Sequence, residues 1–422
     1  MRALAIVDGE HYASVVRDAL AELPYEFAVA VVLGGTEKLR GGGGGDDDYG
    51  VPLATDVEAG IESYAPDVVV DLSDEPVLGP VERLALASRV LAQGLPYVGA
   101  DFRFDPPERL PFGLPSIAVV GTGKRVGKTA VTAHVARLVA STRHVVVVAM
   151  GRGGPDRPEV VTVPPTVDAL VELSRSGRHA ASDHLEIAAL TGLQTVGCRR
   201  CGGGLAGAVA RSNVPEGAAV AASLAPDLVV FDGSGAALPP IAADRTIVVV
   251  GGHQDPAVVS GYLNAYRLLL ADLVLVTMAE AESGWERVRH AVAGVVRPGV
   301  AIVGTTLRPR PTIDISGRSV AYFCTAPAGA HATLATHLRD LHGAHVVHVS
   351  GNLADRGALL EELATIDADV FLVELKAAAI DVVAEAALAR GVEIVLVAND
   401  VVSVPDDLDL DAMLLEMAKF AV

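Results

Sequence analysis

An apolar strand pattern at residues 117–120 runs directly into Gly121-Thr-Gly-Lys-Arg-Val-Gly-Lys128-Thr129, and a helical pattern follows. A strand that turns through glycines into a helix lays that helix back over its own sheet, so this stretch commits the chain to α/β layers. The same order builds a phosphate cradle. Backbone N–H groups around Gly123 to Lys128 can wrap anionic oxygens, and the helix N-terminus adds partial positive charge. Lys128 can reach terminal phosphates, and Thr129 can ligate Mg²⁺. Gly121, Thr122, Gly123, Lys124, Arg125, Val126, Gly127, Lys128 and Thr129 are therefore the expected nucleotide contacts. The strict motif has glycine five residues before Gly-Lys-Thr. Here that place holds Thr122, with glycine one step earlier, so the loop is a variant.

At 422 residues the chain is too long for one average domain, and two or three are expected. No uninterrupted apolar run approaches the roughly 20 residues of a membrane helix. The opening MRALAIVDGEHY turns acidic and polar too early for a secretion signal, so a cytoplasmic enzyme is expected. A net charge of −19 argues against broad contact with nucleic acid or anionic membranes. Any anionic ligand then needs local cationic clusters. The chain has five lysines, Lys38, Lys124, Lys128, Lys376 and Lys419, and two of them lie in the glycine loop. Three cysteines cannot form a disulfide framework, and Cys198-Arg-Arg-Cys201 has no second ligand pair for zinc.

Strand, loop and helix alternate along the chain, which predicts parallel sheets covered by helices. The expected fold class is α/β: a central P-loop NTPase domain at 114–311, between Rossmann-like α/β domains at 1–113 and 312–422. Strand patterns lie at 4–7, 27–33, 68–72 and near Tyr97 in the first domain. They recur at 145–149, 228–231, 246–250 and 273–277, and then at 320–324, 345–349, 370–373 and 394–397. The run Gly41 to Asp48, five glycines and three aspartates, reads as a solvated loop.

Asp232 ends an apolar strand pattern and precedes Gly-Ser-Gly, the position from which a P-loop enzyme offers a Mg²⁺ ligand. Asp71 has a similar setting without a glycine loop, so turn formation and substrate contact stand level there. Met150-Gly-Arg-Gly-Gly-Pro155 follows a strand, and Gly197-Cys-Arg-Arg-Cys-Gly-Gly-Gly204 is read as a later loop. Their Arg152, Arg199 and Arg200 offer planar donors suited to phosphate, against the plainer reading of surface ion pairs. Asp8, Glu10 and His11 follow the first strand and can cap the next helix or contact a ligand. Asp183, His184 and Glu186 could bind metal, but an acidic helix start explains them more simply. His253 and Asp255 border the same strand ends, and Glu374 and Lys376 close a strand of the last domain. No Gly-x-Ser-x-Gly elbow supports a serine hydrolase, and the first strand lacks Gly-x-Gly-x-x-Gly.

The glycine loop resembles that of dethiobiotin synthetase and its P-loop relatives. The combination of Asp8-Gly-Glu-His-Tyr, the loop at 121–129, Met150-Gly-Arg-Gly-Gly-Pro, Arg199-Arg-Cys-Gly-Gly-Gly and Glu374-Leu-Lys-Ala-Ala-Ala resembles the cyclic 2,3-diphosphoglycerate synthetase family over nearly the full length. That resemblance implies a cytoplasmic ATP- and Mg²⁺-dependent ligase that closes 2,3-diphosphoglycerate into a cyclic phosphoanhydride, releasing ADP and phosphate. It implies catalytic roles for Lys124, Lys128, Asp232 and Arg199, with Thr129 and Asp232 on the metal. Asp8, Glu10, His11, Arg152, Arg199, Arg200 and Lys376 would contact the substrate. The expected partners are a small polyanion and a second copy in a homodimer, with no nucleic acid and no membrane. Two other readings keep the loop: another ATP-dependent ligase or kinase acting on a small anionic metabolite, and a nucleotide-gated regulatory ATPase. The segment 406–421 is either an amphipathic interface helix or a tail packed on its own domain.

Overall fold

The computed structural model describes residues 1–34, 46–75, 77–280 and 284–419. They form two compact units. The first comprises Met1–Pro107 with Asp255–Leu270 and Gly294–Arg297, and the second comprises Glu108–Gln254, Ala271–Ala293 and Pro298–Val422.

The first unit is built on a six-stranded sheet of β1 (Arg2–Val7), β2 (Glu26–Val32), β3 (Leu53–Ala54), β4 (Val68–Asp71), β5 (Tyr97–Val98) and β6 (Arg103–Phe104), in the order β3-β2-β1-β4-β5-β6. All pairs are parallel except β5 with β6. Ala3, Leu4, Ala5, Ile6 and Val7 are all fully buried, as strands covered on both faces require. The chain reverses direction across the sheet between β1 and β4, which is where open α/β sheets bind ligands. Gly41 to Gly45 lie outside the described residues. Asp46–Tyr49 forms one helical turn and sinks Tyr49 into the core beside Val16 and Leu20.

The second unit begins with β7 (Leu110–Pro111) and then β8 (Ser116–Gly121), β9 (Val145–Gly151), β10 (Glu159–Val161), β11 (Thr195–Cys201) and β12 (Arg211–Ser212). It continues with β13 (Leu228–Asp232), β14 (Ile241–Ala242), β15 (Arg245–Gly251), β16 (Leu273–Thr277) and β17 (Ala301–Pro311). The last strands are β18 (Ser319–Phe323), β19 (His345–Ser350), β20 (Val370–Glu374) and β21 (Glu393–Ser403). One 13-stranded sheet runs β10-β11-β9-β13-β8-β15-β16-β17-β21-β20-β18-β19, with β12 paired to β11. Its two halves, parallel apart from the antiparallel pairings of β10 and β12 with β11, meet where residues 305–311 of β17 pair antiparallel with β21. Residues 301–304 of β17 pair with β16 instead. Pro309 and Pro311 fall in the stretch that pairs on one side, where proline costs no ladder bond.

One finding differs from the sequence reading, and another concerns the tail, for which that reading left two alternatives open. The Cys-Arg-Arg-Cys segment, read as loop, is strand β11, paired with β9 from Thr195↔Val147 to Arg199↔Gly151. The tail forms the helix Leu410–Met417, which packs on its own unit: Leu410, Leu414 and Ala418 share a core with Val131 and Val135 of the P-loop helix Lys128–Ala140. His134 Nε2 meets Asp411 Oδ1 at 2.7 Å, and Arg143 donates to the Ala418 carbonyl.

Candidate active site

β8 delivers the chain to the loop, and the helix Lys128–Ala140 begins at once behind Gly127. Gly127 has φ 77°, a conformation that favours glycine, and a side chain there would strike Leu307 at 2.9 Å. Thr122 is not among the positive-φ residues, so its position makes no demand for glycine. Its hydroxyl lies 2.6 Å from Gln254 Oε1, and its N–H donates to the Val249 carbonyl. Gln254 Oε1 also accepts from Gly251 N–H, so one side chain ties the loop to the end of β15. Thr277 Oγ1 donates to the Val126 carbonyl from the next strand, β16.

Lys128 and Asp232, both buried, are paired at 2.5 Å, and Thr132 Oγ1 donates to the same carboxylate oxygen. The second oxygen, Asp232 Oδ2, is buried and has no hydrogen-bond partner among the described residues. Burial raises the Asp232 pKa against the opposing pull of Lys128.

Asp232 leads into the turn Gly233-Ser234-Gly235, where the guanidinium groups of Arg152 and Arg200 and the stem of Lys124 converge. A methyl group placed on Gly235 would lie 3.4 Å from Arg152 Nη2, 3.9 Å from Arg200 Nη2 and 4.0 Å from Lys124 Cγ. Arg200 donates to the Gly202 and Ser234 carbonyls, which fixes its plane, while its Nε is buried without a partner. Burial and the charge of Arg152 both lower the Arg200 pKa. Two guanidinium groups lie close together here and, among the described residues, no carboxylate is bonded to either, an arrangement chemically suited to an anion. Arg152 reaches this point because its loop lies against β11, where a Cβ on Gly154 would sit 2.1 Å from the Cys198 carbonyl oxygen. Arg199, next to Arg200 on the strand, is exposed and points to the other face.

A cavity opens behind Thr129. Thr129, Ala130 and Ala133 form one wall, Glu186, Ile187 and Leu190 a second, and Glu374, Lys376 and residues 397–399 a third. Lys376 Nζ lies 3.7 Å from Glu186 and 4.0 Å from Glu374. Burial pushes Glu186 up to about 8 against the pull of Lys376. Burial also disfavours the Lys376 ammonium, but Glu374 and Glu186 outweigh it and raise its pKa.

Three domain models of one family cover this chain. The N-terminal domain of cyclic 2,3-diphosphoglycerate synthetase matches residues 2–105, its P-loop domain 116–305 and its C-terminal domain 311–400. The chain belongs to the cyclic 2,3-diphosphoglycerate synthetase family. Relatives bearing that name agree over their whole length. The protein of Rubrobacter xylanophilus is 47% identical across 100% of this chain and 98% of its own. That of Thermococcus gammatolerans is 42% identical over 99% and 97%, and that of Methanothermus fervidus 38% over 99% and 97%.

The N-terminal candidates of this family member belong to the first unit, at the β1/β4 reversal point. Asp8 Oδ1 accepts from the N–H groups of Glu10 and His11 and meets His11 Nδ1 at 2.8 Å, while Oδ2 accepts from Asp74 N–H. Burial opposes ionisation of Asp8, yet these donors outweigh it and hold its pKa below the usual value. Asp8 therefore shapes two loops, and Glu10 stands exposed beside it. Asp71 is likewise engaged, accepting from Ser73, Arg83 and Tyr97. Gln254 received no specific role from the sequence, and Glu186, weighed there as a metal candidate or part of an acidic helix start, instead faces Lys376. Neither sits in a motif, because each acts through a partner more than a hundred positions away.

Proposed function

We propose that this enzyme uses ATP and Mg²⁺ to close 2,3-diphosphoglycerate into its cyclic 2,3-phosphoanhydride, releasing ADP and phosphate. The observation that carries the reading is the convergence of Lys124, Arg152 and Arg200 on the turn that follows Asp232. An ATPase needs one phosphate cradle; a second cationic cluster beside it suits a second polyanion, as the name of the relatives describes.

The residues fit Mg²⁺. The buried, unpartnered Asp232 Oδ2 is an open carboxylate oxygen, and Thr129 stands in the first turn of the P-loop helix. When bound there, Mg²⁺ would neutralise charge on the phosphate oxygens. Lys128 then exchanges Asp232 for the γ-phosphate and follows that group during transfer. An oxygen of one substrate phosphate attacks the γ-phosphorus in line; a new P–O–P bond forms as the bond to ADP breaks. An oxygen of the other substrate phosphate next attacks the phosphorus of the activated one. The ring P–O bond forms and orthophosphate leaves. Lys124, Arg152 and Arg200 hold the substrate phosphates together against their mutual repulsion, with Lys376 as a further cationic contact, while Arg199, on the other face of β11, stays outside this cluster.

Incubation with Mg·ATP and 2,3-diphosphoglycerate, followed by phosphorus NMR, tests the reading. A cyclic anhydride signal that grows with ADP and phosphate is expected. ATP consumption without that signal would overturn it.

A further inference from the structure

Glu186 has no part in the steps above, yet its surroundings are specific. It is 5% exposed, and among the described residues its carboxylate has one side-chain partner, Lys376. Glu374, the other carboxylate near that ammonium, is already occupied. Its Oε1 accepts from Asn399 Nδ2 at 2.9 Å and Tyr322 OH at 3.3 Å, and its Oε2 accepts from the N–H and hydroxyl of Thr325. Glu374 thus belongs to the frame of β18, β20 and β21, whereas Glu186 reaches in from the helix Asp183–Thr191.

The backbone around Lys376 is shaped as well. Ala377 has φ 46°, unusual for a residue with a side chain, and the chain then winds into the π-helix Ala379–Ala384. Both features concentrate at functional sites. This turn sets where the Lys376 side chain starts. Its four-carbon stem leaves the ammonium free to swing, so a second group must set where it ends. Glu186 is the group in place to do so, on the wall of the cavity that also contains Thr129. Burial favours the protonated form of Glu186, and the Lys376 ammonium is the group that pulls it back toward the carboxylate, so the two side chains are matched to each other.

We propose that Glu186 is a positioning residue: by balancing Lys376 it holds that ammonium at the cavity beside Thr129, where its charge serves the transferring phosphoryl group. The proposal rests on the reading above in which Lys376 assists the anionic reactants.

The test compares E186Q, K376M and the double variant with the native enzyme, measuring KM for 2,3-diphosphoglycerate, kcat, ADP affinity by calorimetry and the melting temperature. E186Q should lower kcat/KM for 2,3-diphosphoglycerate about tenfold to a hundredfold, the scale of a misplaced contact, with ADP affinity within about twofold. K376M should lose at least as much, and the double variant should be no worse than K376M. K376M should also melt several degrees lower because it leaves the buried Glu186 carboxyl without its partner, and the added E186Q should recover that loss. Native kinetics in E186Q beside an impaired K376M would sink the proposal, as would losses that multiply in the double variant. A fall in melting temperature alone in E186Q would assign Glu186 a structural role and sink it too. Native kinetics in K376M would overturn the role of Lys376 itself. Should the native enzyme not turn over 2,3-diphosphoglycerate, the proposed function fails separately, and the thermal comparison still decides whether the two residues act as a pair.

Discussion

Lys128 is 7% exposed and holds a partner, Asp232, that it must leave when phosphate arrives. Its exchange between carboxylate and phosphate is the event on which the proposed chemistry turns. Lys128→Ala should lower ATP-dependent ring closure by about a thousandfold or more, the scale of removing a main charge stabiliser from phosphoryl transfer. Near-native turnover by that variant in the NMR assay would remove the loop from the mechanism. The P-loop was legible because its chemistry is contiguous in sequence. The fitness of Thr122 within it was not, because it depends on Gln254, 132 positions later. Asp8 allows a prediction about acid stability. Its folded pKa lies below the ordinary 3.8, so its contribution is fully present above that value and is lost as pH falls through the folded pKa. Asp8→Asn, which removes charge-assisted bonds to backbone N–H groups, should cost about 1.5–3 kcal/mol at pH 7. The gap from the native protein should narrow below about pH 4. Thermal melts at pH 7 and pH 3.5 check this, and an equal gap at both would contradict it.

Among the elements, β11 decides which arginine serves the site. Its sequence, Thr-Val-Gly-Cys-Arg-Arg-Cys, begins like a strand and ends like a charged turn, so pattern alone could not extend it to Cys201. Pairing to β9 carries the strand as far as Arg199 and pairing to β12 carries Arg200 and Cys201, and the alternation of side chains then sends Arg200 toward the Gly235 turn and Arg199 outward. No strand pattern was assigned to β17, whose Pro309 and Pro311 are compatible with a strand because this stretch pairs on one side alone, with β21. The strands buried on both faces were legible, since Val145 to Ala149 and Leu228 to Phe231 are nearly unbroken apolar runs. The arrangement predicts a ranking. Arg152→Ala and Arg200→Ala should each raise KM for 2,3-diphosphoglycerate by about 10–100-fold, the range for a hydrogen bond to a charged group. Arg199→Ala should change it by about threefold or less. Steady-state kinetics at saturating ATP reads the order, and an Arg199→Ala defect equal to that of Arg200→Ala would place the anion on the other face.

At the scale of the whole molecule, the family's three domain models and the two compact units divide the same chain differently, and the shared sheet explains why. β17 pairs with β16 through its first residues and with β21 through the rest, so no boundary near Pro311 leaves both sides intact. The cores cross that point as well. Leu170, Leu185 and Leu190 pack with Phe371, Val373 and Val383, and Val401, Leu410 and Leu414 pack with Val131 and Leu275. A C-terminal segment cut away at residue 312 would expose those faces and lose the β17 ladder. Hydrogen exchange provides the measurement. If the second unit is one cooperative structure, the slowest amides of β18 and β20 should open with the same free energy and denaturant dependence as those of β8 and β13. A separate fragment of residues 312–422 should show little protection. Its folding to native-like protection, or an opening of β18 and β20 several kcal/mol easier than that of β8, would separate the halves. It would also weaken the argument that a strand pair so far along the chain can hold Lys376 steadily beside the phosphate loop.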